Sequence, residues 1–232
     1  MDMMMTTLKE GLPQLGLELN ETTQKTLCDF GAAVVEQNKV MNLTAITQPD
    51  QVAKLHLLDS LTLLTLANLE GKQVIDVGCG AGFPGVPLAI ASGAKITLLD
   101  SLGKRMKWLE SCLPQLGIEA ECVTARAEEA VATRRESYDF ATSRAVARLN
   151  ILLELTAPYV KVGGAVLAMK GTAAKEELAE CGNAMKKLGL KLEEVKEFPI
   201  DGTNHAVIVL KKVAPTPKQY PRRFAKIKQS PL

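Results

Sequence analysis

Val74-Ile75-Asp76-Val77 runs directly into Gly78-Cys79-Gly80-Ala81-Gly82-Phe83-Pro84-Gly85. A β-branched run halted by three alternating glycines, with a helical pattern behind it, confines the chain to folds in which a strand turns at once into a helix. The alternation continues downstream. Val86 to Ser92 reads as a helix closed by Gly93, and Lys95 to Asp100 as a second strand. Lys104 to Leu113 reads as a helix stopped by Pro114 and Gly117, and Glu119 to Thr124 as a third strand. Tyr138 to Thr142 and Ala165 to Met169 are further strands, separated by a helix over Leu149 to Val160. A helix over Lys175 to Leu188 precedes two final strands, Leu190 to Phe198 and Ala206 to Lys211. Strands alternating with helices predict βαβ units and a parallel sheet, whereas the short last connection requires an antiparallel pair.

This predicts an α/β fold, a mostly parallel doubly wound sheet with a C-terminal antiparallel hairpin, which is the architecture of class I methyltransferases. Two helical patterns precede the glycine loop. One covers Glu21 to Met41; the other is capped by Asp50 and runs through Val52, Leu55, Leu58 and Leu61. The expected organisation is an N-terminal helical extension (1–70), a Rossmann-like domain (71–213) and a basic arm (214–232).

Gly78, Gly80 and Gly82 alone do not choose between cofactors, because dinucleotide-binding folds use the same loop. Asp76, two residues before Gly78, would repel a pyrophosphate but attract a sulfonium and an amino group. Pro84 removes a backbone donor from what would be a phosphate cradle. Both favour S-adenosylmethionine over NAD. Asp100, with Ser101 behind it, ends the second strand, where a carboxylate can accept from both ribose hydroxyls. A helix N-cap is the alternative for Asp100. Ala127 and Glu128 follow the third strand, on the side of the adenine; Glu128 is equally well read as a helix-start charge. Arg144, in Ser143-Arg144-Ala145, follows the fourth strand, where cofactor and substrate should meet, and can pin a base edge, a phosphate or the cofactor. A surface pair with Glu128 or Asp139 is its structural alternative.

Composition excludes other classes. The chain has 232 residues and a net charge of +2, so any nucleic-acid contact must come from local clusters. Aromatics make up 4%, too few for a broad base-stacking platform. Five cysteines, without a CxxC, favour reduced thiols over a disulfide framework or zinc site. No metal is expected, and His56 and His205 read as structural. Met1 to Met5 lacks the features of a signal peptide, and Leu55 to Leu69 is too short and polar to span a bilayer. A cytoplasmic, monomeric protein is expected.

The strings DVGCGAGFPGVPLAI, LLDSLGKRMKWL, SRAVARL and YPRRFAKIKQSPL resemble the bacterial 16S ribosomal RNA guanine-N7 methyltransferases, the glucose-inhibited division protein B family. Asn42-Leu43-Thr44-Ala45-Ile46 and His56-Leu57-Leu58-Asp59-Ser60-Leu61 also fit, so the resemblance runs from about Asn38 to Leu232. Cys79 departs from it, standing where serine or threonine is more usual. The resemblance implies cofactor contacts at Gly78, Phe83, Asp100, the Ala127-Glu128 turn and Arg144, and a guanine of 16S rRNA, naked or in the small ribosomal subunit, as target. N7 carries no proton in neutral guanine, so its methylation needs positioning rather than a general base; Arg144 is the expected positioning group. Lys170, Arg222, Arg223 and Lys226 are expected on RNA phosphates. On composition alone that tail is a solvated run; its position and the resemblance make it an RNA arm. The alternative activity is methyl transfer to another RNA or a small molecule.

Overall fold

The structure, a computed structural model, describes residues 2–232. Three helical segments come first: α1 (Asp2–Gln14), α2 (Glu21–Met41), and a composite rod. The rod consists of α3 (Pro49–Val52), a π-helical turn over Ala53–Leu58, α4 (Asp59–Leu61) and a 3-10 turn over Thr62–Thr65. Strands and helices then alternate through β1 (Gln73–Val77), α5 (Gly85–Ser92), β2 (Lys95–Asp100), α6 (Gly103–Gln115), β3 (Glu121–Thr124) and α7 (Ala127–Arg134). They continue through β4 (Tyr138–Arg144), α8 (Leu149–Thr156), β5 (Val160–Lys170), α9 (Ala174–Ala179) and α10 (Gly182–Leu188). β6 (Leu190–Ile200), β7 (Thr203–Lys212) and α11 (Phe224–Gln229) complete the chain.

The sheet has seven strands in the order β3-β2-β1-β4-β5-β7-β6. β1 to β5 pair in parallel, and β7 lies antiparallel between β5 and β6. Strand order reverses between β1 and β4, the position at which doubly wound sheets open a ligand crevice at their carboxyl ends. Alternation along each strand divides the core in two. Val74, Leu98, Leu167, Val207 and Val209 face a cluster with α1, α2, the rod, α5 and α6. Ile75, Leu99, Val166, Ile208 and Leu210 face a cluster with α8, α10 and Tyr220 of the tail. Period-two side-chain placement on a sheet covered on both sides accounts for the near-continuous apolar strands.

Local chemistry explains most boundaries and several departures from expectation. Asn20 caps α2, its side chain accepting from Thr23 N at 2.8 Å. Asp50 is not a cap. Pro49 takes the first helical position, Gln48 precedes it without a side-chain cap, and Asp50 lies in the first turn, where its charge suits the macrodipole. α1 lies outside the two expected helical patterns, although Met4, Leu8 and Leu12 fall on one buried stripe. α6 continues through Pro114, which lies in its last turn. α7 follows β3, and the expected Lys175–Leu188 helix divides into α9 and α10 around Cys181. β5 starts earlier than expected, because the helix after Leu149 ends at Thr156. The prolines of the basic arm predict an extended course, but its last part is helical, α11.

Candidate active site

A cavity of about 500 Å³ opens at the carboxyl ends of β1, β2 and β4. Gly78, Gly80, Phe83, Asp100, Ser101, Ala127, Glu128 and Arg144 line it, together with Arg105, Arg126, Val146, Leu155 and Phe224. The glycine loop forms its floor. Gly78 has φ +75, and Val146 packs where a side chain at Gly78 would lie, so both backbone conformation and packing demand glycine there.

Most of the loop's backbone donors are already engaged. Gly78 N and Cys79 N donate to Leu99 O at 2.7 and 3.1 Å. Gly80 N donates to Asp100 Oδ2 at 3.0 Å. Gly82 N and Phe83 N donate to Cys79 O, and Gly85 N donates to Asp76 Oδ2 at 2.8 Å. Pro84 has no donor. A phosphate cradle needs several free N–H groups converging on an anion, and this loop has all but Ala81 N engaged or, at Pro84, absent. The residues fit a cofactor without phosphate.

Asp76 and Gly82 stand behind the cavity wall. Asp76 is fully buried; one oxygen holds Gly85 N, and Oδ1 has no partner. Burial pushes its carboxyl up to about 7, only partly opposed by the Gly85 bond and the Arg144 charge. Its expected direct contact with a cofactor is thus corrected to a position beneath the loop. Gly82 has φ +97 and packs against Val86, Phe30 and Leu109 rather than facing the cavity. Asp100 does not cap α6, whose N-cap is Leu102. Its Oδ1 accepts from Leu102 N at 2.9 Å while Oδ2 holds Gly80, so one carboxylate fixes two loops at the mouth.

Arg144 pairs with neither Glu128 nor Asp139. Its guanidinium donates to Asp59 Oδ2 and Leu55 O, both at 2.8 Å, and approaches His56 Nδ1 at 3.2 Å. It also lies over the Phe83 ring, 5.3 Å from the centroid. His56 stacks on the same Phe83 ring, with centroids 4.6 Å apart, and its Nε2 lies 2.8 Å from Thr44 Oγ1. Burial and the Arg144 charge lower the His56 pKa to about 4, so the ring is neutral. His56 Nδ1 also lies 3.1 Å from Leu55 O, so its two contacts at that nitrogen call for opposite tautomers. Asp59 is 3% exposed and also binds His205 Nδ1 at 2.8 Å. That bond raises the His205 pKa.

A second cavity of about 710 Å³ lies on the other side of this cluster, with Lys170, Met169 and His205 in its lining. Arg144, Ala145 and Val146 belong to both cavities. Ala145 holds φ 57, a left-handed conformation uncommon for a residue with a side chain, at the junction.

Two residues expected on RNA are committed elsewhere. Lys170 Nζ donates to Ala147 O and pairs with Glu177 at 2.8 Å, its side chain 8% exposed. Arg222 donates through Nε and Nη2 to Glu154 at 2.8 and 2.6 Å, and its backbone N donates to the same carboxylate at 2.9 Å. Glu154 is fully buried, and the bidentate arginine with the Arg222 N–H satisfies its oxygens. Arg223 and Lys226 are exposed and form no ion pair among the described residues. Sequence reasoning left out Asp59, Leu155 and Phe224. The spacing of His56 and Asp59 within one helical turn was the one available signal.

Among the described residues no cluster of three or more His, Cys, Asp or Glu is arranged to hold a metal, and no helix is long and apolar enough to cross a membrane. The chain superposes on M. jannaschii TYW2, solved in complex with AdoMet, with TM-score 0.54 and 16% identity, covering 64% of this chain and 72% of that one. P. horikoshii TYW2, in complex with MeSAdo, gives TM-score 0.55 at 16% identity over 67% of this chain and 61% of that one. At such identities the likeness concerns the fold, the methyltransferase-type α/β sheet. Sequence relatives are much nearer. Ribosomal RNA small subunit methyltransferase G of Alkaliphilus metalliredigens is 41% identical over 97% of each chain. That of Pelotomaculum thermopropionicum is 39% identical over the full length of both. The family model described as GidB, rRNA small subunit methyltransferase G, matches residues 23–206. With the glycine loop, Asp100 and the paired cavities in place, the chain belongs to the rRNA small subunit methyltransferase G family.

Proposed function

We propose that this protein transfers a methyl group from S-adenosylmethionine to N7 of a guanine in 16S rRNA, acting as a cytoplasmic monomer on the small-subunit RNA. The observation that carries the reading is the pair of cavities joined through Arg144, Ala145 and Val146. One is floored by a glycine loop with most of its donors engaged and flanked by Asp100; the other opens directly beside it. S-adenosylmethionine supplies an electrophilic methyl group when bound. Gly78, Gly80, Phe83, Asp100, Ser101, Ala127, Glu128 and Arg144 are the residues that would hold it. Asp76 contributes by holding Gly85 N from beneath the loop.

N7 attacks with a lone pair and releases no proton, so the protein's task is alignment and exclusion of water. The wall between the cavities suits that task. His56 is held neutral with both ring nitrogens engaged, and Arg144 is clamped by Asp59. The division at residues 70 and 213 follows function in this reading: the helical extension supplies the Asp59 clamp, the sheet the cofactor cavity, and the arm the basic surface of Arg223 and Lys226.

Mass spectrometry of 16S rRNA from a strain lacking the protein tests this. The expected result is loss of one 7-methylguanosine, restored by the wild-type chain. An unchanged 16S rRNA, or a methyl group lost from another RNA, would overturn the assignment of target.

A further inference from the structure

The C-terminal arm reaches the cofactor cavity. Phe224, the first residue of α11, lines the cavity together with Leu155 of α8. Its neighbours fix it there. Glu154 takes three hydrogen bonds from Arg222, two residues earlier. Arg135 donates to Thr216 O at 3.3 Å and to Tyr220 O. Ile227, one helical turn later, is fully buried. Phe224 therefore sits between two anchored points, and its own ring is only partly buried although nothing polar on it requires solvent.

The rest of the lining explains what the ring can do. Asp100, Ser101, Glu128, Arg105 and Arg126 make much of the cavity polar. A bound adenosyl group presents two flat apolar faces that need apolar cover. α8 touches both α7 and α11, and Ala127, Leu155 and Phe224, one from each of these helices, line the same cavity as the Ala125–Glu128 turn. We infer that Phe224 is part of the cofactor site, its ring covering the adenosyl group so that the C-terminal arm forms one wall of the cavity. This rests on the methyltransferase reading above.

Calorimetry with S-adenosylhomocysteine on the full chain tests it, with the melting temperature of the ligand-free protein as a second reading. Phe224→Ala should weaken binding by about tenfold, the scale of one lost aromatic contact. Phe224→Leu, which keeps apolar bulk, should stay within about threefold of wild type, and both variants should melt close to it. Unchanged affinity in Phe224→Ala while the wild type binds would overturn the inference alone. An equal loss of affinity in both variants, accompanied by lower melting temperatures, would also overturn it, since Phe224 would then only brace the arm. Wild-type protein that does not bind S-adenosylhomocysteine would overturn the inference together with the methyltransferase reading.

Discussion

Asp76 and Arg144 carry the largest electrostatic consequences at the scale of single residues. The Asp76 carboxyl rises from 3.8 to about 7, with burial as the main cause. The folded protein thus keeps a proton that the unfolded chain has released. A raised acid contributes least favourably at high pH: its penalty grows as pH climbs from about 4 and levels off above about 7. The full difference is roughly 4 kcal/mol. Asp76→Asn should therefore be more stable than wild type at pH 8 and similar to it near pH 4, by urea titration at both. Equal stability at pH 8 would show that the charge is solvated or matched. Arg144→Ala removes the partner of a carboxylate that is 3% exposed, for which a loss of about 3 kcal/mol is expected. Methyl transfer should fall strongly even where the variant is folded, and Arg144→Lys should rescue it poorly, because an ammonium cannot bridge Asp59, Leu55 and His56 at once. Near-normal turnover in both would reduce Arg144 to a structural tie.

At the scale of elements, the tail divides into an anchor and a contact surface. Arg222 belongs to the anchor and Arg223 with Lys226 to the surface, although the three lie within five positions. Arg222→Ala leaves Glu154 buried without its partner and should lower stability by about 3 kcal/mol, with little change in the salt dependence of RNA binding. Arg223→Ala with Lys226→Ala should leave the melting temperature alone and flatten the log–log salt slope by about 1.4, near 0.7 per phosphate contact. A salt slope altered by Arg222→Ala at constant stability would reverse this assignment. The rod from Pro49 to Thr65 makes the same point. Its π-helical turn presents Leu55 O and His56, and the start of α4 presents Asp59, toward a single guanidinium, and π turns often occur at functional positions.

At the scale of the whole molecule, β1, β4 and β5 occupy the middle of the sheet between two apolar clusters, whereas β6 is an edge with an exposed outer face. Native-state hydrogen exchange should find the amides of β1, β4 and β5 the last to exchange, with those of β6 and α1 opening earlier. Protection in β6 equal to that in β1 would mean that the hairpin and the parallel sheet open as one unit.

The alternation of strands and helices, the antiparallel finish and the cofactor loop were legible in the sequence, because they follow from period-two burial, glycine conformations and short connections between neighbours. β2 and α2 run over the expected residues. α1 and α7 are missing from that reading; α1 begins with a run of methionines, and α7 has only eight residues and one buried side chain. Around the site, sequence placed Asp100 and Arg144 at strand tips, since the carboxyl ends of such strands are where the fold opens. It could not say that Arg144 is clamped by Asp59, that Lys170 and Arg222 are enclosed in ion pairs, that Asp76 lies beneath the loop, or that Phe224 enters the cavity. The Arg144–Asp59 and Arg222–Glu154 contacts join residues 85 and 68 positions apart, and Lys170 reaches Ala147, 23 positions away. Local periodicity carries no information about them. They are decided by which helix packs on which face of the sheet, and only the assembled tertiary structure supplies that.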